Sequence, residues 1–296
     1  MPKMHDEEVL ASPELVRRLL AAQMPQWAEL PISARPLGGT DNAMYRLGDD
    51  MVVRLPRIEW AVAAAERERE WLPRLAPLLP VEIPIPVATG RPGEGYPWAW
   101  SVYRWLDGLD PSVHLDIDRD ALAGDLISFV RAMWRVELDG GPHATRGASL
   151  ERYDERTRGS IDALGGAIDR GAALALWEDA LAVTPWPRPS VWVHEDLDAR
   201  NLLVRDGRLS GVLDWSGVGV GDPLCDIAAG WKLLSAEARE VFRAELGVDD
   251  ATWLRARGFT LSQAVNALSY YTPQNNPLLV RESERWLSAV LGVSAD

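Results

Sequence analysis

The 296-residue sequence predicts an α+β fold of two lobes: a small one built on an antiparallel sheet over residues 1–106, and a mainly helical one over 107–296. Three observations point there. Up to Leu106 the apolar patterns run helix, strand, strand, helix, strand, strand. After Asp116 the period becomes helical and stays so, broken only by short strands that bracket one loop. Charge divides at the same place: residues 1–106 carry 12 Lys and Arg against 14 Asp and Glu, a net of −2, whereas residues 107–296 carry 19 against 30, a net of −11.

Each element has a local cause. Ser12-Pro13-Glu14 supplies an N-cap, a proline at the first helical position and an acidic first turn, and Leu15, Val16, Leu19 and Leu20 recur at helical spacing until Pro25. Two β-prone runs, Ala43 to Leu47 and Met51 to Leu55, flank Gly48-Asp49-Asp50 and predict paired strands joined by a tight turn. From Glu59 to Leu75, charges fall on one side and Val62, Ala65, Leu72 and Leu75 on another, which predicts an amphipathic helix. A connector with Pro80, Pro84 and Pro86 leads to strands around Val87 and from Ala99 to Trp105. Leu122, Leu126, Phe129, Val130 and Met133 then mark a long helix, followed by helical segments near Leu150 to Ile168 and Ala172 to Val183 that stop before Pro185, Pro187 and Pro189. Short strands are expected at Val191 to Val193, Leu202 to Val204 and Leu209 to Leu213. Helices over Asp222 to Leu234, Ala236 to Leu246, Asp250 to Tyr271 and Pro277 to Leu291 fill the remainder.

Composition narrows the function. Apolar residues make 47% and charged residues 25%, the balance of a globular chain rather than a disordered one. A net charge of −13 argues against a nucleic-acid backbone as partner and for cationic small molecules. No apolar run approaches the ~20 residues of a membrane span, and Met1 to Glu8 lacks a basic-then-apolar leader plan, so a cytoplasmic protein without a membrane partner is expected. The single cysteine, Cys225, excludes an internal disulfide and a multi-cysteine zinc site. Gly-x-x-x-x-Gly-Lys-Ser/Thr, Gly-x-Ser-x-Gly and His-Glu-x-x-His are all missing, which removes P-loop, α/β-hydrolase and zincin chemistry.

The densest chemistry lies in Val193-His194-Glu195-Asp196-Leu197-Asp198-Ala199-Arg200-Asn201-Leu202, followed by Leu213-Asp214-Trp215. An acid and an amide five residues apart in a loop between β-prone stretches, with a further acid at the end of the next strand, place three oxygen-bearing side chains at one mouth. Such a set suits Mg2+, which prefers hard oxygen ligands and binds together with substrate phosphates. It also leaves one carboxylate to orient a hydroxyl.

His-x-Asp-x-x-x-x-Asn with an Asp beyond it resembles the catalytic loop and metal-binding Asp of protein kinases. With Asn201-Leu202-Leu203-Val204, Gly211-Val212-Leu213-Asp214 and Gly221-Asp222-Pro223-Leu224-Cys225-Asp226, it is similar to the aminoglycoside phosphotransferase family over most of the chain. That resemblance implies a protein-kinase-like fold, with Asp196 as the catalytic residue, Asn201 and Asp214 on Mg2+, and His194 and Asp226 as structural support. In the first lobe Gly38-Gly39-Thr40-Asp41-Asn42 matches the family's nucleotide-positioning loop, giving Gly39, Thr40 and Asn42 to the phosphates. The strand that usually carries a phosphate-pairing lysine has Arg54 instead, in a chain whose only lysines are Lys3 and Lys232. Glu68 is its expected helix partner, with Glu66 and Glu70 as alternatives. The backbone of Arg104 and Leu106 is placed at the adenine-holding hinge. Glu195, where the family commonly has glycine, is either a surface variation or an acidic contact to the acceptor; Asp198 either orients substrate or is a solvated loop acid.

The implied activity is transfer of the γ-phosphoryl group of ATP or GTP to a hydroxyl of a small, cationic acceptor. An aminoglycoside is expected first, with antibiotic inactivation as the role. Macrolides, peptide antibiotics, choline and homoserine are alternatives within the fold, and a nucleotide-binding pseudokinase is the alternative outside catalysis.

Overall fold

The computed structural model describes residues 9, 11–34, 41–147 and 149–292. The chain divides into two compact units, Met1–Leu78 with Glu82–Asp107, and Leu79–Val81 with Gly108–Asp296.

The first unit opens with α1 (Pro13–Gln23), whose N-cap Ser12 accepts a hydrogen bond from the Leu15 N–H at 3.2 Å and whose Leu15, Val16, Leu19 and Leu20 are buried. An antiparallel five-stranded sheet follows, ordered β1-β2-β3-β5-β4 from β1 (Ile32–Ala34), β2 (Asn42–Leu47), β3 (Met51–Pro56), β4 (Pro86–Gly90) and β5 (Trp100–Arg104). β1 was not expected: three residues carry too little pattern, and its register, Ile32 opposite Leu47, is set by β2. Between β3 and β4 runs α2 (Glu59–Leu75), with the bounds its amphipathic pattern predicts. One core joins α1 to the sheet, in which Leu19, Leu20, Leu47, Val53, Leu55, Trp100 and Val102 are fully inaccessible to solvent. Burial of each such aliphatic side chain contributes roughly 1.5–3 kcal/mol.

The second unit is helical, with α3 (Ala123–Trp134), α4 (Asp154–Leu164), α5 (Arg170–Ala182), α6 (Leu224–Ile227), α7 (Ala229–Leu233), α8 (Ala236–Leu246), α9 (Asp250–Tyr270) and α10 (Pro277–Leu291). α9 is its axis, packed by α4, α5 and α10 and buried around much of its circumference. Two small antiparallel sheets interrupt the helices, β6 (Val191–Val193) with β9 (Gly219–Gly221) and β7 (Leu202–Arg205) with β8 (Arg208–Val212). The turn of the second pair is Asp206-Gly207, both at positive φ, as a two-residue hairpin requires. One strand is additional to those expected, and one expected helix is corrected. Gly219-Val220-Gly221 has almost no strand propensity and becomes a strand by pairing with Val191–Val193. The helix expected over Asp222 to Leu234 is two short ones, because Ala228 ends α6 and caps α7. Among the described residues no helix is long and apolar enough to cross a membrane.

Candidate active site

In the second unit β6 delivers the chain into the loop His194–Asp198, and a single 3-10 turn over Ala199–Asn201 passes it on to β7. Asp226, fully buried at α6, pins the entry: its two carboxylate oxygens accept the N–H groups of His194 and Glu195, each at 2.9 Å. Burial pushes the Asp226 carboxyl up to about 7, although those two donors work the other way. His194 is also fully buried. Its Nδ1 accepts the Asp196 N–H at 3.2 Å and its Nε2 lies 2.9 Å from the Leu213 carbonyl, which fixes the tautomer with hydrogen on Nε2. Burial holds its pKa below the ordinary imidazole value, so the ring is a neutral clamp between the loop and the end of β8.

Asp196 sits at the tip of this construction. Arg146, from the loop before α4, approaches one of its carboxylate oxygens at 2.9 Å. Burial raises the Asp196 pKa, but Arg146, Lys232 and Arg200 outweigh it and hold the carboxyl well below the usual carboxylate range. Asn201 spends its Nδ2 on the Asp196 carbonyl at 2.9 Å, which leaves Oδ1 as its remaining acceptor. The Leu213 N–H donates to the Asn201 carbonyl at 2.7 Å, which ties the end of β8 to the 3-10 turn, and Asp214 follows it, exposed, at φ +56°. An amide oxygen and a carboxylate are hard oxygen donors, the type Mg2+ takes when it binds jointly with phosphates. No cluster of three His, Cys, Asp or Glu side chains suited to a metal occurs among the described residues.

Neither loop acid is a surface group. Glu195 is buried, its Oε1 accepting the N–H groups of Arg146 at 2.6 Å and Gly147 at 3.4 Å, so it braces the Arg146 loop and is no surface variation. Asp198 is inaccessible to solvent rather than solvated: it caps the 3-10 turn through the Arg200 N–H at 2.9 Å and ion-pairs with the Arg200 guanidinium. Asp222 of the Gly-Asp-Pro run accepts the Leu224 N–H at 2.9 Å and binds buried Arg255 of α9 at 2.7 Å, tying the loop to the axial helix.

In the first unit Arg54 of β3 and Glu68 of α2 form an ion pair, with Glu68 fully buried and the Tyr103 hydroxyl 3.5 Å from it. Glu66 lies on the exposed side of α2, near Arg69, and Glu70 is exposed, so Glu68 alone of the three faces Arg54. Asn42 opens β2 opposite Pro56. Arg104 ends β5 exposed and Leu106 follows it half-buried, while the Trp105 N–H between them donates to the Asp50 carbonyl at 2.7 Å. Gly39 and Thr40 lie outside the described residues.

A cavity of about 400 Å³ opens on Asp196 within the second unit. Its wall is a stripe of α9, Phe259, Ser262, Gln263 and Asn266, completed by Trp286 of α10 and the arginines 146, 156 and 200. These arginines were not picked out from the sequence. Arg200 stands inside the His-x-Asp-x-x-x-x-Asn run and was visible there; Arg146 and Arg156 carry no local signal.

The phosphotransferase enzyme family model matches residues 33–259. The chain belongs to that family. It is therefore an ATP- or GTP-dependent phosphotransferase with an alcohol group as acceptor. Solved structures agree on the fold. The GDP and kanamycin complex of APH(2")-IIia is 19% identical with a TM-score of 0.69, covering 93% of this chain and 97% of that one. Macrolide 2'-phosphotransferase MphH from Brachybacterium faecium is 21% identical with a TM-score of 0.60, covering 96% and 98%. The streptomycin-ATP-APH(2")-IIa ternary complex is 17% identical with a TM-score of 0.58, covering 97% and 100%. No curated protein matches the sequence.

Proposed function

We propose that the enzyme moves the γ-phosphoryl group of ATP or GTP onto a hydroxyl of a small molecule, with residues 1–106 binding nucleotide and residues 107–296 supplying the catalytic and acceptor-binding groups. The observation that carries this reading is Asp196, an ionised carboxylate clamped by Arg146 on the wall of a ligand-sized cavity.

The acceptor hydroxyl donates a hydrogen bond to Asp196, which turns the oxygen lone pair toward the γ-phosphorus. A new P–O bond forms as the bond from that phosphorus to the β,γ-bridging oxygen breaks. The nucleoside diphosphate departs with the electron pair, and the hydroxyl proton passes to Asp196 and on to water. Asn201 and Asp214 would hold Mg2+, which when bound neutralises charge on the phosphates. Arg54, braced by Glu68, is assigned to the α- and β-phosphates, Gly39, Thr40 and Asn42 to the phosphate loop, and the backbone of Arg104 and Leu106 to adenine. Alignment and charge stabilisation supply most of the rate in such transfers, so no covalent enzyme intermediate is needed.

Asp196→Asn is expected to lower kcat by about 10³-fold or more with nucleotide affinity retained, read by product mass spectrometry and titration calorimetry. Turnover within tenfold of the parent would remove Asp196 from the role. For the acceptor, the net −11 of residues 107–296 and the kanamycin and streptomycin in the names of similar structures make an aminoglycoside the first compound to try. Macrolides, peptide antibiotics, choline and homoserine belong in the same panel.

A further inference from the structure

A carboxylate that receives an acceptor hydroxyl must offer a lone pair in one direction, and an unrestrained aspartate side chain turns about two bonds. Asp196 is restrained. Among the described residues its carboxylate has one ion-pair partner, Arg146, whose Nη1 lies 2.9 Å from Oδ1. Arg200, its neighbour in the cavity wall, gives Nε and Nη2 to Asp198 instead, at 3.1 and 2.5 Å. Oδ1 of Asp196 is thereby engaged, and Oδ2 is left for a ligand on a side chain that lines the cavity.

The pairing is held through the backbone of Arg146. Its N–H donates to Glu195 Oε1 at 2.6 Å, and the Gly147 N–H reaches the same oxygen at 3.4 Å. The Tyr153 hydroxyl donates to the Arg146 carbonyl at 2.9 Å, and the Tyr153 ring meets Phe259 of α9 edge-on at 5.9 Å. Upstream, the Ala144 N–H donates to the Val220 carbonyl at 3.0 Å and the Val220 N–H to the Pro142 carbonyl at 2.7 Å, which lays the segment along β9. Downstream, Gly147 sits so close to α6 that a Cβ would come within 3.0 Å of the Asp222 carbonyl and 3.4 Å of Cys225 Sγ. Glu195 is the costly member. It is buried at φ +74° with its Oε2 lacking a hydrogen-bond partner, where glycine would adopt the backbone without strain. Its side chain holds the residue that pairs with its own neighbour in sequence, Asp196, and backbone strain of this kind gathers where function sets the geometry.

We propose that Arg146 is a positioning residue for Asp196: it fixes Oδ1 so that Oδ2 receives the acceptor hydroxyl, and Glu195 sets Arg146 in place through the Arg146 and Gly147 N–H groups. This rests on the phosphotransferase reading above and adds to it how the carboxylate is aimed. Arg146 binds neither nucleotide nor acceptor in this scheme, so its loss slows transfer and leaves binding intact.

The test uses the purified full-length enzyme with magnesium-ATP and magnesium-GTP. Kanamycin, streptomycin, a macrolide, a peptide antibiotic, choline, homoserine and water are the acceptors, with transfer read by mass spectrometry and phosphate release. Arg146→Ala is expected to lower kcat about 10²-fold, as misplacing a reacting group does, with KM for both substrates within about threefold of the parent. Arg146→Lys should recover part of kcat, and so should methylguanidinium added to Arg146→Ala, since the parent side chain is 37% exposed and its place is open to solvent. On top of Asp196→Asn, Arg146→Ala should cost less than about threefold more, because the group it aims is gone. Glu195→Gly, relieved of backbone strain, should fold and lose about tenfold in kcat, and Glu195→Gln, which keeps an acceptor oxygen, should lose less. A raised KM with kcat kept would make Arg146 a ligand contact and overturn the inference; so would a full loss on top of Asp196→Asn, or a Glu195→Gly enzyme as fast as the parent. One measurement needs no turnover: the NMR signals of the Arg146 guanidinium, assigned by their loss in Arg146→Lys, should shift in Asp196→Asn and in Glu195→Gly, and unshifted signals would equally overturn it. A parent that transfers to no acceptor would sink the phosphotransferase reading, and the guanidinium signals would then decide the Arg146 arrangement alone.

Discussion

Glu195 stands at φ +74°, a left-handed conformation that costs a residue with a Cβ about 1–2 kcal/mol, which accounts for glycine being the common choice at this point of the pattern. Its two backbone hydrogen bonds to the Arg146 loop offset that strain, and Gly217 leaves it room, since a Cβ there would come within 3.0 Å of the Glu195 Cβ. Asp226 is the complementary case. Asp226→Asn replaces an acceptor by an amide N–H₂ that faces a backbone N–H, so a loss of about 1–3 kcal/mol is expected in urea unfolding. The sign of its pH dependence follows from linkage. With a folded pKa raised to about 7 and an ordinary unfolded one near 4, the folded state holds the extra proton between these values. The stabilisation is fully present below about pH 4 and is lost as the pH rises through about 7. The advantage of the parent over Asp226→Asn should therefore shrink across that interval; a constant or growing difference would refute the raised pKa.

At the scale of elements, the cavity depends on how closely α9 approaches its neighbours. Gly258 is the point of contact with α5: a Cβ built there lies 2.3 Å from the Cβ of Ala180, nearer than two such atoms can come. Gly258→Ala would gain about 1 kcal/mol of helix propensity and lose about 1–3 kcal/mol to overpacking, so packing wins. A fall in Tm of a few degrees is expected, and Ala180→Gly added to it should recover part of the loss by removing the opposing methyl. An unchanged or higher Tm for the single variant would show that the helices separate freely. Helices α1, α8 and α10 announced themselves because cap, periodicity and breaker agree along a local stretch, whereas α2, with no side-chain cap, showed through its periodicity alone. β1 and β9 did not, because their strand character comes from a partner distant in sequence.

For the whole molecule, nucleotide binding and stability are linked through mass action, and the Arg54–Glu68 pair gives a way to read that link. Nucleotide at one hundred times its Kd stabilises the folded state by about 2.7 kcal/mol. The rise in Tm produced by magnesium-ATP should be much reduced in Arg54→Ala and largely kept in Arg54→Lys; a full rise in Arg54→Ala would remove Arg54 from the phosphates. The charge of −13 describes the surface and its solubility, while the cavity beside Asp196 has a local field of its own, since exposed charges are screened over about 8–10 Å. This is where reading the chain and seeing it folded part company. The two-lobed α+β class and the loop carrying Asp196 and Asn201 with Asp214 beyond it could be read from the chain, because each is written in consecutive residues under short-range rules. Folding alone makes Glu195 and Asp198 buried braces, sets Arg146 against Asp196, and brings Arg156 and Trp286 into the wall of one cavity. Those residues come from segments up to 140 positions apart, and packing brings them together where no local periodicity can.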